Sequence, residues 1–533
     1  MRPHPFLALS LSALFLSPSF PRAHAATAKL APAQSSSTAS STASPQDGGP
    51  AANAAPDPGN PASLLQARDA GRHLLRVGVT AQAHDFSRPW SKRAPVPRRS
   101  LGVVLRGGLV LVTGECVANA NYIELETPDG ERKEPAVVLC VDYESNLALL
   151  KPESASFLKH LPGLDLVGPR IGDSLSVLQL EANGQVQTST GKVTTAEVTR
   201  YPVDESSFLV CRLSVPLQMR DGMLSIPVLK GGGLTGLMLR YDPGSSLMDF
   251  IPAPVIAHFL KDFREGKYEG FPRMGCAFAP TRDPQLRRYL GLNGNNGGVL
   301  ITQVLADGPA EKAGLSSGDV LLEIAGKSID SNGNYEDEDF GRISLSHLVS
   351  TRHYEGQKVK ARIWRGGESL QVEVPVARRK PEHYLSEPYV IDRAPRYYVL
   401  GGLVLQELSR QFLREFGSDW QRKAPLELVH MDRTQSEQST HPRKRAVVLT
   451  RVLPSNVTVG YEELRNLLVT SINGMPLESL DDIPKALEKA SNGLHQIEFK
   501  GDPALIFLDA KAVEAAAPAL QRAYGLPALS RLE

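Results

Sequence analysis

A mainly β chain of several domains is predicted by three observations. Short runs rich in Val, Ile, Leu and Thr recur between Gly, Pro, Asp and Asn turns from Leu74 onward. Aromatic residues make up only 6% of the chain against 45 Gly and 40 Pro, which favours turn-rich sheet over long helices. The 533 residues, 41% hydrophobic and 22% charged, suffice for more than one core. With 59 basic residues against 58 acidic ones, no basic stripe for nucleic acid is expected.

The N-terminus runs from Met1-Arg2-Pro3-His4 through the apolar stretch Phe6 to Leu16 to Ala23-His24-Ala25. That is the charged, apolar and small-residue order of a secretory signal, with residues 1–25 removed on export to a periplasmic or extracellular compartment. The apolar stretch is shorter than the roughly 20 residues a spanning helix needs, so no membrane span is expected. Residues 26–62 read as a disordered Ala/Ser/Pro linker. From Ala26 to Asn60, 27 of 35 residues are Ala, Ser, Thr, Pro or Gly, too little apolar surface to offset the entropy of ordering. The four cysteines, Cys116, Cys140, Cys211 and Cys276, show no CxxC spacing. Neither a metal site nor a disulfide framework follows from them, and no cofactor motif stands out.

Over residues 63–265 the predicted strands include Leu74 to Val79, Leu101 to Leu105, Leu109 to Thr113, Tyr122 to Glu126, Ala136 to Val141 and Leu147 to Leu150. Ser174 to Leu180, Val186 to Thr195, Ser207 to Leu213, Met223 to Leu229 and Leu234 to Arg240 follow. So many strands without intervening helices indicate a sandwich or a pair of barrels.

Within this region the order Asp85-Phe86-Ser87-Arg88-Pro89-Trp90, Ser100-Leu101-Gly102-Val103-Val104, Val110-Leu111-Val112-Thr113 and Tyr143-Glu144-Ser145-Asn146-Leu147-Ala148-Leu149-Leu150 resembles the exported HtrA/Deg serine endoproteases. The similarity is greatest to the plant-type branch with two PDZ domains, and Ile251 to Phe263 is similar to the helix that closes its protease domain. The resemblance implies a trypsin-like double β-barrel followed by two PDZ-like domains, and it implies trimeric or higher homo-oligomeric association.

Acyl transfer by a serine protease needs a hydroxyl nucleophile, an imidazole base, a carboxylate that orients the imidazole, and backbone N–H groups for the oxyanion. Carried over by resemblance, the histidine follows the Val-Thr strand end, where this chain has Thr113-Gly114-Glu115-Cys116. Cys116 stands at that position, or Glu115 with a one-residue slip. The acidic residue precedes the Leu-Ala-Leu-Leu strand, and here it is Asn146, an amide without charge. The nucleophile lies two residues after the Gly of Gly222-Met223-Leu224-Ser225-Ile226-Pro227, which places Leu224 there, with Ser225 as the fallback nucleophile. His160 and His258 do not follow the strand pattern and are expected on the surface or in a helix. For Cys116 the economical readings are a small buried cysteine or a bridge to Cys140.

Residues 270–380 carry a strong PDZ pattern: Gly297 to Leu305, then Gly308-Pro309-Ala310-Glu311-Lys312-Ala313-Gly314-Leu315, then Gly318 to Ile329. A PDZ module adds an extended peptide to an open sheet edge and holds its terminal carboxylate with loop N–H groups. By resemblance that loop is Arg273-Met274-Gly275-Cys276, with Gly275 allowing close approach and Arg273 attracting the anionic terminus. His347 and Leu348, in the helix around Leu345 to Ser350, are expected to face the ligand. The acidic insertion Tyr335 to Asp339 reads as a solvated loop. Residues 395–510 form a more divergent second PDZ-like domain without the Ala-Gly-Leu and Gly-Asp-Val elements, suited to peptide binding or to packing. Residues 511–533 read as a helical, partly loose tail.

These readings converge on an exported pseudoprotease that binds peptide or protein C-termini or unfolded proteins in quality control or as an adaptor. Two alternatives stay open: an active serine-type endopeptidase, and a structural component of an oligomer.

Overall fold

The computed structural model describes residues 71–201, 206–219, 223–292, 294, 297–434 and 444–533. The signal-like segment 1–25 and the linker 26–62 lie outside the described residues, as does Gly222.

Strands Leu74–Ala81, Val96–Leu105, Leu109–Thr113, Ala120–Glu126, Lys133–Asp142 and Leu147–Pro152 pair antiparallel and close on themselves as a first barrel. Alternate residues fill its interior: Leu75, Val77 and Val79 meet Val104, Val110, Val112, Ile123, Leu125 and Leu150, as a period of two demands. Strands Ser174–Leu180, Val186–Arg200, Ser207–Ser214, Pro227–Lys230, Gly233–Asp242 and Leu247–Pro252 form a second closed barrel. The pair is the trypsin-like double barrel. Here one strand reading needs correction. The run Met223 to Leu229 is not continuous: Met223–Leu224 joins the first barrel's sheet, parallel to Arg99 and Ser100, while Pro227–Lys230 belongs to the second barrel. Ser225, with φ of 56°, makes the break between them.

Helix Ala253–Arg264 starts with Pro254 in its first turn, where the missing N–H costs nothing. It buries Val255, Ile256, Phe259 and Leu260. Its core does not end with the second barrel. One cluster of buried residues runs from Leu209, Val210 and Phe250 through Phe259, Phe271 and Met274 into Ile301, Leu345 and Val349 of the next domain.

That domain has an antiparallel sheet in the order Cys276–Pro280, Val299–Val304, Val320–Ile324, Lys358–Arg365, Glu368–Pro375, with Lys327–Ser328 beside the third strand. Helix Leu345–Arg352, capped by the Ser344 hydroxyl, is buried on nearly every side. The acidic insertion is not a solvated loop. It is a β-hairpin, Asn334–Asp337 against Gly341–Ser344, that buries Tyr335, Phe340 and Ile343 and reaches the second barrel, where Arg170 pairs with Asp339 at 2.8 Å.

The last sheet repeats this order with Leu403–Glu407, Val447–Val452, Leu467–Ile472, Leu494–Lys500 and Leu505–Asp509, and Met475–Pro476 sits beside its third strand. Residues 511–533 are not a loose tail. Helix Ala510–Tyr524 is capped by Asp509, ends at Gly525 in the left-handed region, and leads to Ser530–Arg531, a strand of the same sheet. The loop Asp85 to Trp90 of the first barrel is embedded in this domain. Phe86 packs among Leu408, Phe412 and Trp420, Gln406 Nε2 donates to the Phe86 carbonyl at 3.0 Å, and Trp90 meets the Tyr397 ring edge-on.

Phe271 holds the seam between the second barrel and the domain that follows, with its ring 4.8 Å from Phe208 and 4.3 Å from His258. Truncation to Ala removes a fully buried ring and leaves a cavity, at a cost of about 3–5 kcal/mol. Thermal unfolding of the Phe271→Ala protein is expected to show a lowered midpoint for both domains together rather than for one alone.

Candidate functional site

The four residues singled out at the protease-like centre come together at the junction of the barrels. Cys116 lies on the one-turn helix Gly114–Val117 that follows strand Leu109–Thr113, with no exposed surface. Asn146, at φ of 55°, accepts the Glu115 N–H on its side-chain oxygen at 2.8 Å, and its carbonyl accepts the Gly114 N–H at 3.0 Å. The Asn146 amide nitrogen donates to the Glu115 carboxylate at 3.4 Å. The side chain beside Asn146 is therefore that of Glu115, and Cys116 points into the barrel core.

Leu224 also turns toward the first barrel's core, and its carbonyl accepts the Ser100 hydroxyl at 3.1 Å. Ser225 is 1% exposed. Its oxygen accepts the Thr113 N–H at 2.8 Å and lies 2.8 Å from the Thr113 hydroxyl. Among the described residues Thr113 is the hydrogen-bond partner of Ser225, and no imidazole reaches it. Thr113 was missed by sequence reasoning: it lies 112 residues from Ser225, and a threonine ending a strand carries no signal of that contact.

The chemistry of these groups is that of a packed interior. Burial pushes the Cys116 thiol up to about 11, despite the hydrogen bond from Ser100, so it is protonated at neutral pH and a poor nucleophile. Burial likewise raises the Glu115 carboxyl above the usual range. Cys116 and Cys140 are both free thiols, so the bridge considered above is absent. His160 is exposed, whereas His258 is a buried residue of the closing helix.

Just before Asn146 the same turn carries Asp142 and Glu144, both buried. Arg378, at the far end of the PDZ-like sheet, donates to Glu144 at 2.9 Å and to Asp142 at 3.5 Å. Tyr268 donates to Asp142 as well. Burial pushes the Asp142 carboxyl upward and Arg378 opposes it. A cavity of about 330 Å³ lies here, walled by Tyr143, Tyr268, Glu355, Arg378 and Tyr389.

Arg273 is drawn into this junction too. Its guanidinium donates to Glu144 at 2.8 Å and to the Ser206 hydroxyl at 2.6 Å, which corrects the expectation that it serves an incoming carboxylate. Met274, Gly275 and Cys276 do lie at the mouth of an open edge. Among the described residues, strand Cys276–Pro280 pairs with Val299–Val304 on one side only. The loop carbonyls face inward, Met274 O accepting from Ala310 and Gly275 O from Leu305, both at 2.8 Å. The N–H groups of Met274 and Gly275 have no partner among the described residues. Gly275 has φ of 74°, and a Cβ there would lie 2.8 Å from Pro309 Cδ, so no other residue fits without strain. Of the expected helix residues, Leu348 is buried in the shared core. His347 has no exposed surface and meets Phe340 edge-on beneath the hairpin, rather than lining the groove.

In the last domain the equivalent edge is closed. Strand Leu403–Glu407 is flanked on its outer side by Tyr397–Leu400, joined through Gly401 and Gly402, both at positive φ, and Ser530–Arg531 pairs beyond it.

PDZ domain models match residues 272–376 and 387–530. The chain is 27% identical over 462 residues to Protease Do-like 2, chloroplastic, of Arabidopsis thaliana, covering 85% of this chain and 74% of that protein. The chain is similar to the Do-like and HtrA-type proteases over most of its length and carries two PDZ domains. It is also 23% identical over 446 residues to Protease Do-like 4, mitochondrial, of the same plant, covering 83% and 82%. Among solved structures, HtrA-type protease AlgW with decapeptide is 20% identical, covering 59% of this chain and 98% of that one, with a TM-score of 0.45.

Arg378 is the partner of two buried carboxylates, whereas the Arg106–Asp165 pair is exposed, with side-chain exposures of 75% and 59%. In urea denaturation, Arg378→Met is expected to cost about 3–5 kcal/mol because it strands a buried charge. Arg106→Met is expected to cost no more than about 1 kcal/mol.

Proposed function

We propose that this chain is an exported HtrA/Deg protein that does not cleave peptide bonds and that binds C-terminal or unfolded segments of other proteins through its first PDZ domain. The observation that carries the reading is the open strand Cys276–Pro280 beside a loop whose Met274 and Gly275 N–H groups lack internal acceptors. An extended peptide adding to that edge gains a backbone ladder, and its carboxylate gains two N–H donors. The closed edge of the second PDZ domain supports a packing role for it.

The residues at the centre support the non-catalytic half of this reading. Cys116 cannot accept a proton from a serine, Asn146 has no charge to stabilise an imidazolium, and Ser225 is buried against Thr113. A hydroxyl without a base is a weak nucleophile.

Incubation of the purified protein from Ala26 onward with an unfolded substrate is expected to yield no fragments, with Ser225→Ala indistinguishable from the parent. Cleavage that disappears in Ser225→Ala would falsify the non-catalytic half of this reading. For the binding half, fluorescence polarisation with peptides ending in an apolar residue is expected to show saturable binding. Amidating the peptide terminus or introducing Gly275→Glu is expected to weaken it at least tenfold. Equal affinity for acid and amide would argue against carboxylate capture.

A further inference from the structure

The seam between the second barrel and the first PDZ domain contains two buried histidines. His258, on helix Ala253–Arg264, is sandwiched between Tyr354, at 4.2 Å and 7°, and Phe271, at 4.3 Å and 20°. Its Nδ1 is 3.1 Å from the Thr351 carbonyl and its Nε2 is 3.3 Å from the Gly270 carbonyl. A neutral imidazole has a single N–H, so one of its nitrogens turns a lone pair toward a carbonyl oxygen. His347 lies four residues before Thr351 on helix Leu345–Arg352. It has no exposed surface, and neither ring nitrogen has a hydrogen-bond partner among the described residues.

The charged groups around them do not compensate a proton on His347. Arg352 on its own helix repels it, and Asp337 on the facing hairpin is already held by Arg352 at 3.0 Å and by the Tyr335 hydroxyl at 2.9 Å. His258 is faced by Asp262 on its own helix and by Asp142 from the first barrel, with Lys261 across the Tyr354 ring. Asp262 is itself engaged by the Glu269 and Gly270 N–H groups. The two carbonyls partly offset a charge on His258; on His347 Asp337, already engaged by Arg352 and Tyr335, gives partial relief that burial and Arg352 outweigh.

We propose that this seam is an acid-sensitive joint: protonation of His347, assisted by His258, loosens helix Leu345–Arg352 and its hairpin from the second barrel while the first barrel stays folded. Burial holds the His347 imidazole down at about 4, and burial lowers His258 as well. An unfolded histidine titrates near 6.5. The native pKa is the depressed one, so the seam keeps its full stability above about pH 6.5 and loses it as pH falls toward 4.

Amide hydrogen exchange of the full chain at pH 7.5 and 5.0, corrected for intrinsic rates, tests this. Protection of Leu345–Thr351 is expected to fall roughly thirtyfold between the two values through His347, with protection of Val96–Leu105 unchanged. His347→Phe, checked for native near-ultraviolet circular dichroism, is expected to abolish most of that fall. An equal fall in His347→Phe, or none in the parent, overturns the proposal. If the variant does not fold, nuclear magnetic resonance titration of the parent decides: a His347 pKa above 6 overturns it, and one near 4 supports it.

Discussion

The structure depends on an apolar core that does not stop at a domain boundary. In a trypsin-like double barrel the second barrel must close its open end, and here it does so by packing helix Ala253–Arg264 and Phe271 onto strands Ser207–Ser214 and Leu247–Pro252. The same helix then presents its other face to helix Leu345–Arg352. Protein interiors are packed as tightly as organic crystals, so a surface shared by two domains fixes their relative placement. The positions of Arg273, Arg378 and the open strand Cys276–Pro280 all follow from that shared core.

Once the first PDZ domain is held there, its flanking arginines reach the turn Asp142 to Asn146. Asp142 has no exposed side-chain surface and Glu144 very little, so each carboxylate needs a cation or donors close by. Arg378 and Arg273 supply them. The turn that in a working protease carries the acidic residue of the triad is thereby tied into a structural network, and Asn146 itself knits the turn to the Gly114–Val117 helix. At the nucleophile position the same logic holds: Ser225 satisfies the Thr113 N–H where solvent cannot. What remains of the centre is largely hydrogen-bonded as a core is, the buried Ser145 hydroxyl being left without a partner among the described residues.

The two PDZ domains show how one sheet order serves two ends. The shared order begins with Cys276–Pro280 in one sheet, where it is an edge strand, and with Leu403–Glu407 in the other, where further strands lie outside it. An edge strand is a template for further pairing. The second domain uses its own Tyr397–Leu400 and Ser530–Arg531 as that further pairing, and its added helices grip the Phe86 loop. The first domain leaves its edge open.

The sequence by itself determined the elements and their local chemistry. Alternation marked Leu74 to Val79 as half-buried strand, the Gly-Pro-Ala and Gly-Asp-Val runs marked the first PDZ domain, and the residues Cys116, Asn146 and Leu224 were legible as departures from a serine-protease pattern. Contacts between distant residues were decided only by the tertiary structure. The bond from Thr113 to Ser225 and the diversion of Arg273 to Glu144 join segments far apart in the chain, and the break of Met223 to Leu229 between two barrels and the burial of His347 under the hairpin depend on how whole sheets pack. A strand's periodicity reports which face is buried, but not what covers it, because that is settled by how whole domains pack.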